Sequence, residues 1–291
     1  MLIGGIEAGG TKFVLAIGNE QGEILEKSTI PTEHPDITLP KVLDFFKGKG
    51  IERLGVGAFG AIDIRPDSPS YGTLQQTPKT DWIGYPFGKV LKDNLQVPVT
   101  IDTDVNVAAM SEAKWGNAKD VSTCLYITVG TGIGGGAYLQ GTTLKGLSHP
   151  EMGHIKVRRH PEDKYDGGCP YHADCLEGLA AGPAIEKRWG KKGHELSNHD
   201  KVWEIESYYL AQAITQYIYI LSPERIILGG GVMKQQRLFP LIRKHVIEML
   251  NGYVSSPYLT EKEIDQYIVP PGLTDEAGIK GALYLAMGDK E

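Results

Sequence analysis

Two glycine-rich turns, an aspartate at a strand end and a His/Cys cluster are the parts of this 291-residue chain whose residue types and spacing could do chemistry. The turns read GGIEAGGTKFVLAIG (Gly4 to Gly18) and LYITVGTGIGGGAYLQG (Leu125 to Gly141), with Gly9 and Gly130 121 positions apart. Backbone N–H groups at such a turn form an anion-binding concavity, and a missing Cβ admits phosphate oxygens. A lone glycine turn is equally consistent with a plain hairpin. The repetition, with Lys12 and the Thr11 and Thr131 hydroxyls, points both turns at one polyphosphate. A third element, LGGGVM (Leu228–Met233), lies between a strand and an expected helix. Small residues at a helix N-terminus suit an anion or a flat ring, or only a close strand–helix crossing. There is no GxxxxGK[ST] sequence. The GxGxxG matches at Gly55–Gly60 and Gly130–Gly135 are followed by prolines and by a strand, so neither reads as a dinucleotide site.

The segment VTIDTDVNVAAMSEAKWG puts Asp102, Asp104 and Asn106 where a strand ends and a helix begins, the side of an open α/β sheet that binds ligands. Asp104 suits two roles. It could cap the helix, or it could accept a proton from a substrate hydroxyl while the glycine turns hold a phosphoryl donor. Four of the eight histidines (His149, His154, His160, His172) and two of the three cysteines (Cys169, Cys175) fall within 27 positions. His154, Cys169, His172 and Cys175 make a Cys₂His₂ set compatible with tetrahedral, structural zinc, with His149 and His160 as spares. Such a metal would pin a loop without secondary structure. Glu151 and Glu177, close to those ligands, would then be rigid acceptors for sugar hydroxyls; without the metal they read as ordinary solvated glutamates.

The elements that must position these groups come from hydrophobic patterning. Strands are expected at Ile3–Glu7, Lys12–Ile17, Glu23–Ile30, Leu54–Ala58 and Val99–Asp102, with helices at Leu39–Phe46, Phe87–Leu95 and Val105–Gly116. The pattern restarts with strands at Thr123–Val129 and Gly134–Leu139, then helices at Leu176–Lys191 and Val202–Leu221. A strand Arg225–Leu228, a helix from the glycines to about Leu250 and a final helix at Glu276–Met287 complete it. Strand triplets joined to helices, occurring twice, predict two α/β lobes around a central cleft. The lobes are expected at 1–119 and 120–291, with the last helix able to return to the first. The tyrosines of the long helix (Tyr208, Tyr209, Tyr217, Tyr219) hint at an interface. With 30 basic and 36 acidic residues and no basic run, nucleic acid is not an expected partner. No apolar run of 18 residues and no basic leader before the first strand argue against a membrane span or a signal peptide. Three cysteines do not form a disulfide framework, so a cytoplasmic protein is expected.

Together these residues resemble the ROK family of sugar kinases and repressors, and within it the bacterial fructokinase branch. The carriers are GGIEAGGTK, TVGTGIGGG, HPEMGHI (149–155), CPYHADCLEGLAAGPA (169–184) and LGGGVM, in family order along both halves. The resemblance implies an actin-like (ribonuclease H-like) duplicated fold with ATP, accompanied by Mg2+, between the lobes and a hexose as acceptor. It implies that Gly9, Gly10, Thr11, Lys12, Gly130, Thr131 and Gly132 hold phosphates, and that Pro183, Gly229, Gly230 and Gly231 border the adenosine. Asp104 would be the base acting on the sugar's 6-hydroxyl. Thr103, Asp104, Glu151, His154 and Glu177 would contact the sugar, and His154 would also bind zinc. A homodimer is implied as well. Three departures stand out: Glu7 where many members carry Asp, His172 where many carry a third Cys, and Thr103 where hexokinase-type members carry Asn. The last puts an aldohexose like glucose or N-acetylmannosamine in doubt and agrees with a fructokinase, with mannose or glucose as the alternative hexoses. A sugar-sensing repressor of the same family would carry a helix-turn-helix ahead of the first loop, and with a first strand starting at Leu2 and an acidic chain that reading is set aside.

Overall fold

The computed structural model describes residues 1–77 and 79–288. Along the chain run β1 (Ile3–Ala8), β2 (Lys12–Gly18), β3 (Ile24–Pro31), α1 (Pro35–Phe46), β4 (Arg53–Ala58), α2 (Phe87–Leu95), β5 (Val99–Thr103) and α3 (Asp104–Trp115). Then come β6 (Thr123–Val129), β7 (Ile133–Leu139), the short β8 (Thr142–Thr143), α4 (Leu176–Ala180), α5 (Gly182–Trp189) and α6 (Asp200–Leu221). The chain continues with β9 (Arg225–Gly229), α7 (Leu238–Leu250), α8 (Ile264–Tyr267), β10 (Ile268–Val269) and α9 (Ala277–Ala286). The chain divides into two compact units: Met1–Lys119 with Gly141–Pro150 and the segment from Gly272 on, and Asp120–Gln140 with Glu151–Pro271. Among the described residues no helix is long and apolar enough to cross a membrane.

In unit 1 the strand order is β3-β2-β1-β4-β5. β1, β2 and β3 pair antiparallel as a meander, while β4 and β5 run parallel to β1. Both faces of the sheet are covered, and the alternation along β2 shows why. Phe13, Leu15 and Ile17 belong to the core that α1 and α2 complete with Leu39, Val42, Phe46, Phe87 and Leu91. Val14 and Ala16 face the other way, into a second cluster with Ile279 and Leu283 of α9. With a side-chain period of two, an uninterrupted apolar strand is stable only when buried on both sides. At Gly55 of β4 a Cβ would collide with the Ala282 carbonyl, so glycine lets α9 lie directly on the sheet. The far end of α3 is tied to the same unit by Glu112, which is buried and accepts the backbone N–H groups of Asn117 (2.8 Å), Gly272 (3.0 Å) and Leu273 (2.9 Å).

Unit 2 repeats the arrangement: β6 and β7 form an antiparallel hairpin, and β9 and β10 follow in parallel, giving the order β10-β9-β6-β7. The same hairpin-plus-parallel-strands pattern in both units is the duplication of the actin-like fold. Both GxGxxG matches fall in strand context with no helix following, as the sequence reading holds.

Three expected elements differ. The helix expected over 176–191 is two helices, because the Gly182 N–H donates to the Gly130 carbonyl at 2.7 Å instead of continuing the helical ladder, and Ala181 is extended (φ −72°, ψ 159°). After Gly229–Gly231 the chain makes a single 3₁₀ turn (Val232–Lys234), and α7 begins only at Leu238, so the glycines do not form the N-terminus of an α-helix. In α6, Tyr209 and Tyr217 are core residues, so the tyrosines do not form one exposed face. The Tyr217 hydroxyl donates to the Met152 carbonyl at 2.5 Å, and that of Tyr209 donates to Asp163 at 2.6 Å.

Candidate active site and metal centre

The first glycine turn is the tip of the β1–β2 hairpin. The Gly9 N–H donates to the Lys12 carbonyl at 3.0 Å, and the Thr32 hydroxyl donates to the Gly9 carbonyl at 2.7 Å, which braces the turn from behind. Nothing lies within 4 Å of a Cβ built on Gly10, and Thr11 and Lys12 are exposed. Just before the turn, Glu7 packs against Gly278 at the start of α9. Its carboxyl is pushed up to about 7, chiefly by burial and then by the charge of Asp104, with Lys12 and Lys27 opposing. Unit 1 therefore gathers two carboxylates and a lysine around its glycine turn.

Asp104 is the first residue of α3, but the helix is capped by its neighbour: the Thr103 hydroxyl accepts the Asn106 N–H at 3.3 Å. Asp104 is half-buried, and its Oδ1 accepts the Val105 N–H at 2.9 Å. The capping role that competed with a chemical one thus falls to Thr103, which is itself 2% exposed. Asp102 is fully buried and structural. Its Oδ1 accepts the Thr103 N–H at 2.8 Å and the Asn106 amide at 2.7 Å. Its Oδ2 accepts the Thr143 hydroxyl at 3.1 Å and the Lys145 ammonium at 3.0 Å.

In unit 2 the second glycine turn closes with the Gly130 N–H donating to the Gly132 carbonyl at 2.9 Å. Gly230 has φ +92°, and a Cβ there would collide with the Val129 backbone. Glycine at that position lets the β9 turn sit against the end of β6. Beside these turns is a cavity of about 670 Å³, in the range of small-molecule sites. Gly130, Thr131, Gly182, Pro183 and Gly231 line it. Gly229 and Gly230 are not among its lining residues, and Gly132 lies against the Glu177 carboxylate. Lys192, His194, Ser197, Trp203, Lys234 and Gln235 also line the cavity, and sequence reasoning missed them. Trp203 lies at the start of α6, and the others sit in irregular chain or one-turn 3₁₀ helices that no motif marks.

Glu177, on α4, accepts the Ile133 N–H at 2.9 Å, which ties the second glycine turn to the metal loop. Glu151 is exposed at the start of a 3₁₀ turn (Met152–His154). Desolvation raises its carboxyl, with His154 lowering it and Glu177 raising it further.

The donor atoms of His154, Cys169, His172 and Cys175 all lie within 4.8 Å of one another. Cys169 Sγ is 3.8 Å from His154 Nδ1 and 3.7 Å from His172 Nδ1, and Cys175 Sγ is 3.5 Å from His154 Nδ1. Zinc–sulfur and zinc–nitrogen bonds at a tetrahedral angle put S and N about 3.6 Å apart, so the cluster has the edge lengths of a zinc shell. Both thiols are free and buried, and burial pushes the Cys175 thiol up to about 11. The Gly178 N–H donates to Cys175 Sγ at 3.5 Å, a second contact for a thiolate. Neither His149 nor His160 joins the four. His149 contacts Thr103, and the His160 ring packs edge-on against Tyr208.

Comparison with known proteins agrees with this geometry. The chain is 53% identical to the Bacillus subtilis (strain 168) protein named "Putative fructokinase" (98% of this chain, 95% of that one). It is 45% identical to the fructokinase of Pediococcus pentosaceus, covering 98% of each. Among solved structures, the ROK hexokinase from Thermus thermophilus superposes with a TM-score of 0.79 at 24% identity, covering 99% of this chain and 98% of that one, which bears out the fold. The ROK family model matches residues 3–289, the whole span in which the glycine turns, the Asp104 helix start and the Cys₂His₂ cluster occur. The chain belongs to the ROK family.

Proposed function

We propose that this chain is an ATP-dependent sugar kinase that converts D-fructose to D-fructose 6-phosphate. The reading is supported by fructokinase relatives at 45–53% identity. The observation that carries the chemistry is that Thr103 caps α3, so Asp104 stands at a helix N-terminus without being its cap.

In this reading Asp104 accepts the proton of the sugar's 6-hydroxyl as that oxygen bonds to the γ-phosphorus and the bond to ADP breaks. A base held in this way is worth about 10²–10⁴-fold. The turns Gly9–Gly10–Thr11–Lys12 and Gly130–Thr131–Gly132 take up the charge on the phosphates through backbone N–H groups and the Lys12 ammonium. Pro183 and Gly229–Gly231 border the adenosine in the unit 2 cavity. Glu151, His154 and Glu177 bind sugar hydroxyls, with Thr103 beside the base. Mg2+ arriving with ATP supplies charge neutralisation. The crowded carboxylates of Glu7 and Asp104 fit a divalent cation, because the charge of Asp104 raises the cost of charging Glu7. His154, Cys169, His172 and Cys175 would hold a structural zinc, and four protein ligands would leave it the role of pinning the loop and not of activating a water. The enzyme is cytoplasmic and works as a homodimer. The exposed side chains of Tyr219, Ile220 and Tyr253 supply apolar surface in unit 2, and sedimentation over a range of concentrations tests that assembly.

A coupled assay of ADP release over fructose, mannose, glucose and N-acetylmannosamine tests the function. Fructose is expected to give the highest kcat/KM. In Asp104→Asn, turnover should fall at least about 100-fold while ATP and fructose still bind. A fully active variant removes Asp104 from the role of base.

A further inference from the structure

Segment 141–150 is held to unit 1 by the same buried carboxylate that organises the start of α3. The Thr143 hydroxyl and the Lys145 ammonium both end on Oδ2 of Asp102, at 3.1 and 3.0 Å. The other Asp102 oxygen is occupied by Thr103 N–H and Asn106. A buried carboxylate that accepts three hydrogen bonds and pairs with one cation is a firm anchor, since losing a partner strands a buried charge. The clamp delivers His149, half-buried, to the N-terminal end of α3, with Nδ1 3.5 Å from Thr103 Oγ1.

The direction of that contact is assigned from the groups around it. Thr103 Oγ1 already accepts the Asn106 N–H, so its own hydrogen is available to His149 Nδ1. Burial lowers the affinity of the ring for a second proton, against the opposing effect of Asp102, which leaves a neutral imidazole. With Nδ1 accepting, the tautomer assigned from this network carries its proton on Nε2. This assignment puts a ring donor on the side chain that contacts Thr103, the residue preceding Asp104.

We propose that His149 is a specificity-determining residue that donates its Nε2–H to a hydroxyl of the hexose beside Asp104, with Thr103 orienting the ring and the Asp102–Lys145 clamp holding segment 141–150 in place. The inference rests on the sugar-kinase reading and adds a recognition residue to it. Four chemistry-bearing side chains, Asp102, Thr103, Lys145 and His149, thereby acquire a common purpose.

Steady-state kinetics of the full-length enzyme test it. In His149→Ala the KM for fructose is expected to rise about tenfold, with kcat within about threefold, KM for ATP unchanged and the melting temperature preserved. Lys145→Met should raise the same KM in the same direction. His149→Gln places an amide donor near the Nε2 position and should restore the KM for fructose, whereas His149→Asn, whose shorter amide reaches only the Nδ1 position, should not. Should the alanine variant not fold, the Gln/Asn pair decides alone. An unchanged KM for fructose in His149→Ala, equal changes in both KM values, or equal KM for fructose in the Gln and Asn variants would overturn the proposal while leaving an active wild type as a sugar kinase. A wild type inactive on every hexose removes both readings.

Discussion

Glu7 and Asp104 set the electrostatics of the first glycine turn, and their proximity has a cost that pH exposes. A carboxyl raised from 4.5 to about 7 binds more protons in the folded than in the unfolded chain between those values. Stability from this group is therefore highest below pH 4.5 and falls as pH rises to about 7, by roughly 3 kcal/mol. The groups facing it, Asp104 and Asp275 raising and Lys12 and Lys27 lowering, are all in unit 1. Glu7→Gln should match the wild type in melting temperature near pH 4.5 and exceed it increasingly up to pH 8, while its turnover with Mg2+ and ATP drops. Thermal melts of nucleotide-free protein across that range check this. A variant less stable than wild type at pH 8 would show that Glu7 is charged and satisfied in the fold. Sequence reading saw Glu7 only as a longer aspartate. Its burial against Gly278, more than 270 positions away, is invisible without the packing of α9.

At the scale of elements, the Cys/His loop and the second glycine turn act through each other. Glu177, on the helix that follows Cys175, accepts the Ile133 N–H, so the loop that a metal would pin also braces the second turn. Metal analysis should return about one equivalent of zinc per chain. Cys169→Ser, which removes a buried ligand, should lose the metal, lower the melting temperature and weaken sugar binding; a zinc-free, fully active Cys169→Ser would end the structural-zinc assignment. The third glycine element makes a separate prediction. Gly230 at φ +92° admits no side chain without strain. Gly230→Ala is expected to cost more than about 1 kcal/mol and to raise the KM for ATP while sparing that for fructose, measurable by a melt and a nucleotide titration. Much at this scale was legible in the sequence. The hairpins, β5, the start of α3 and the Cys₂His₂ set each follow from a local rule about period, turn or ligand type. Where that reading fell short, at the break in 176–191 and the delayed start of α7, a distant acceptor or a strained turn decided. Gly182 prefers the Gly130 carbonyl, and Gly230 turns the chain before a helix can start.

For the molecule as a whole, the repeated hairpin-plus-parallel-strand sheets supply two copies of one scaffold, and the two units have specialised. Unit 1 carries Asp104 with its capping threonine, the Glu7 carboxyl and the clamped segment 141–150. Unit 2 carries the Cys₂His₂ cluster and every residue lining the 670 Å³ cavity. Duplication was readable from two glycine turns and the last helix was expected to be able to return to the first lobe, but the return of segment 141–150 to unit 1 follows from long-range packing that no local pattern encodes. The division predicts how a nucleotide should be felt. A non-hydrolysable ATP analogue at 100 times its Kd stabilises the bound form by about 2.7 kcal/mol, so openings that expel it should become about 100-fold rarer. Hydrogen exchange should therefore slow by up to that factor in 129–132, 182–186, 192–197 and 229–235, the stretches around the cavity. Backbone groups of 141–150 have no part in lining it and should keep their exchange rates until fructose is added. Protection of 141–150 by the nucleotide alone, with the cavity stretches unchanged, would place the adenosine in unit 1 and reverse the assignment of the two units.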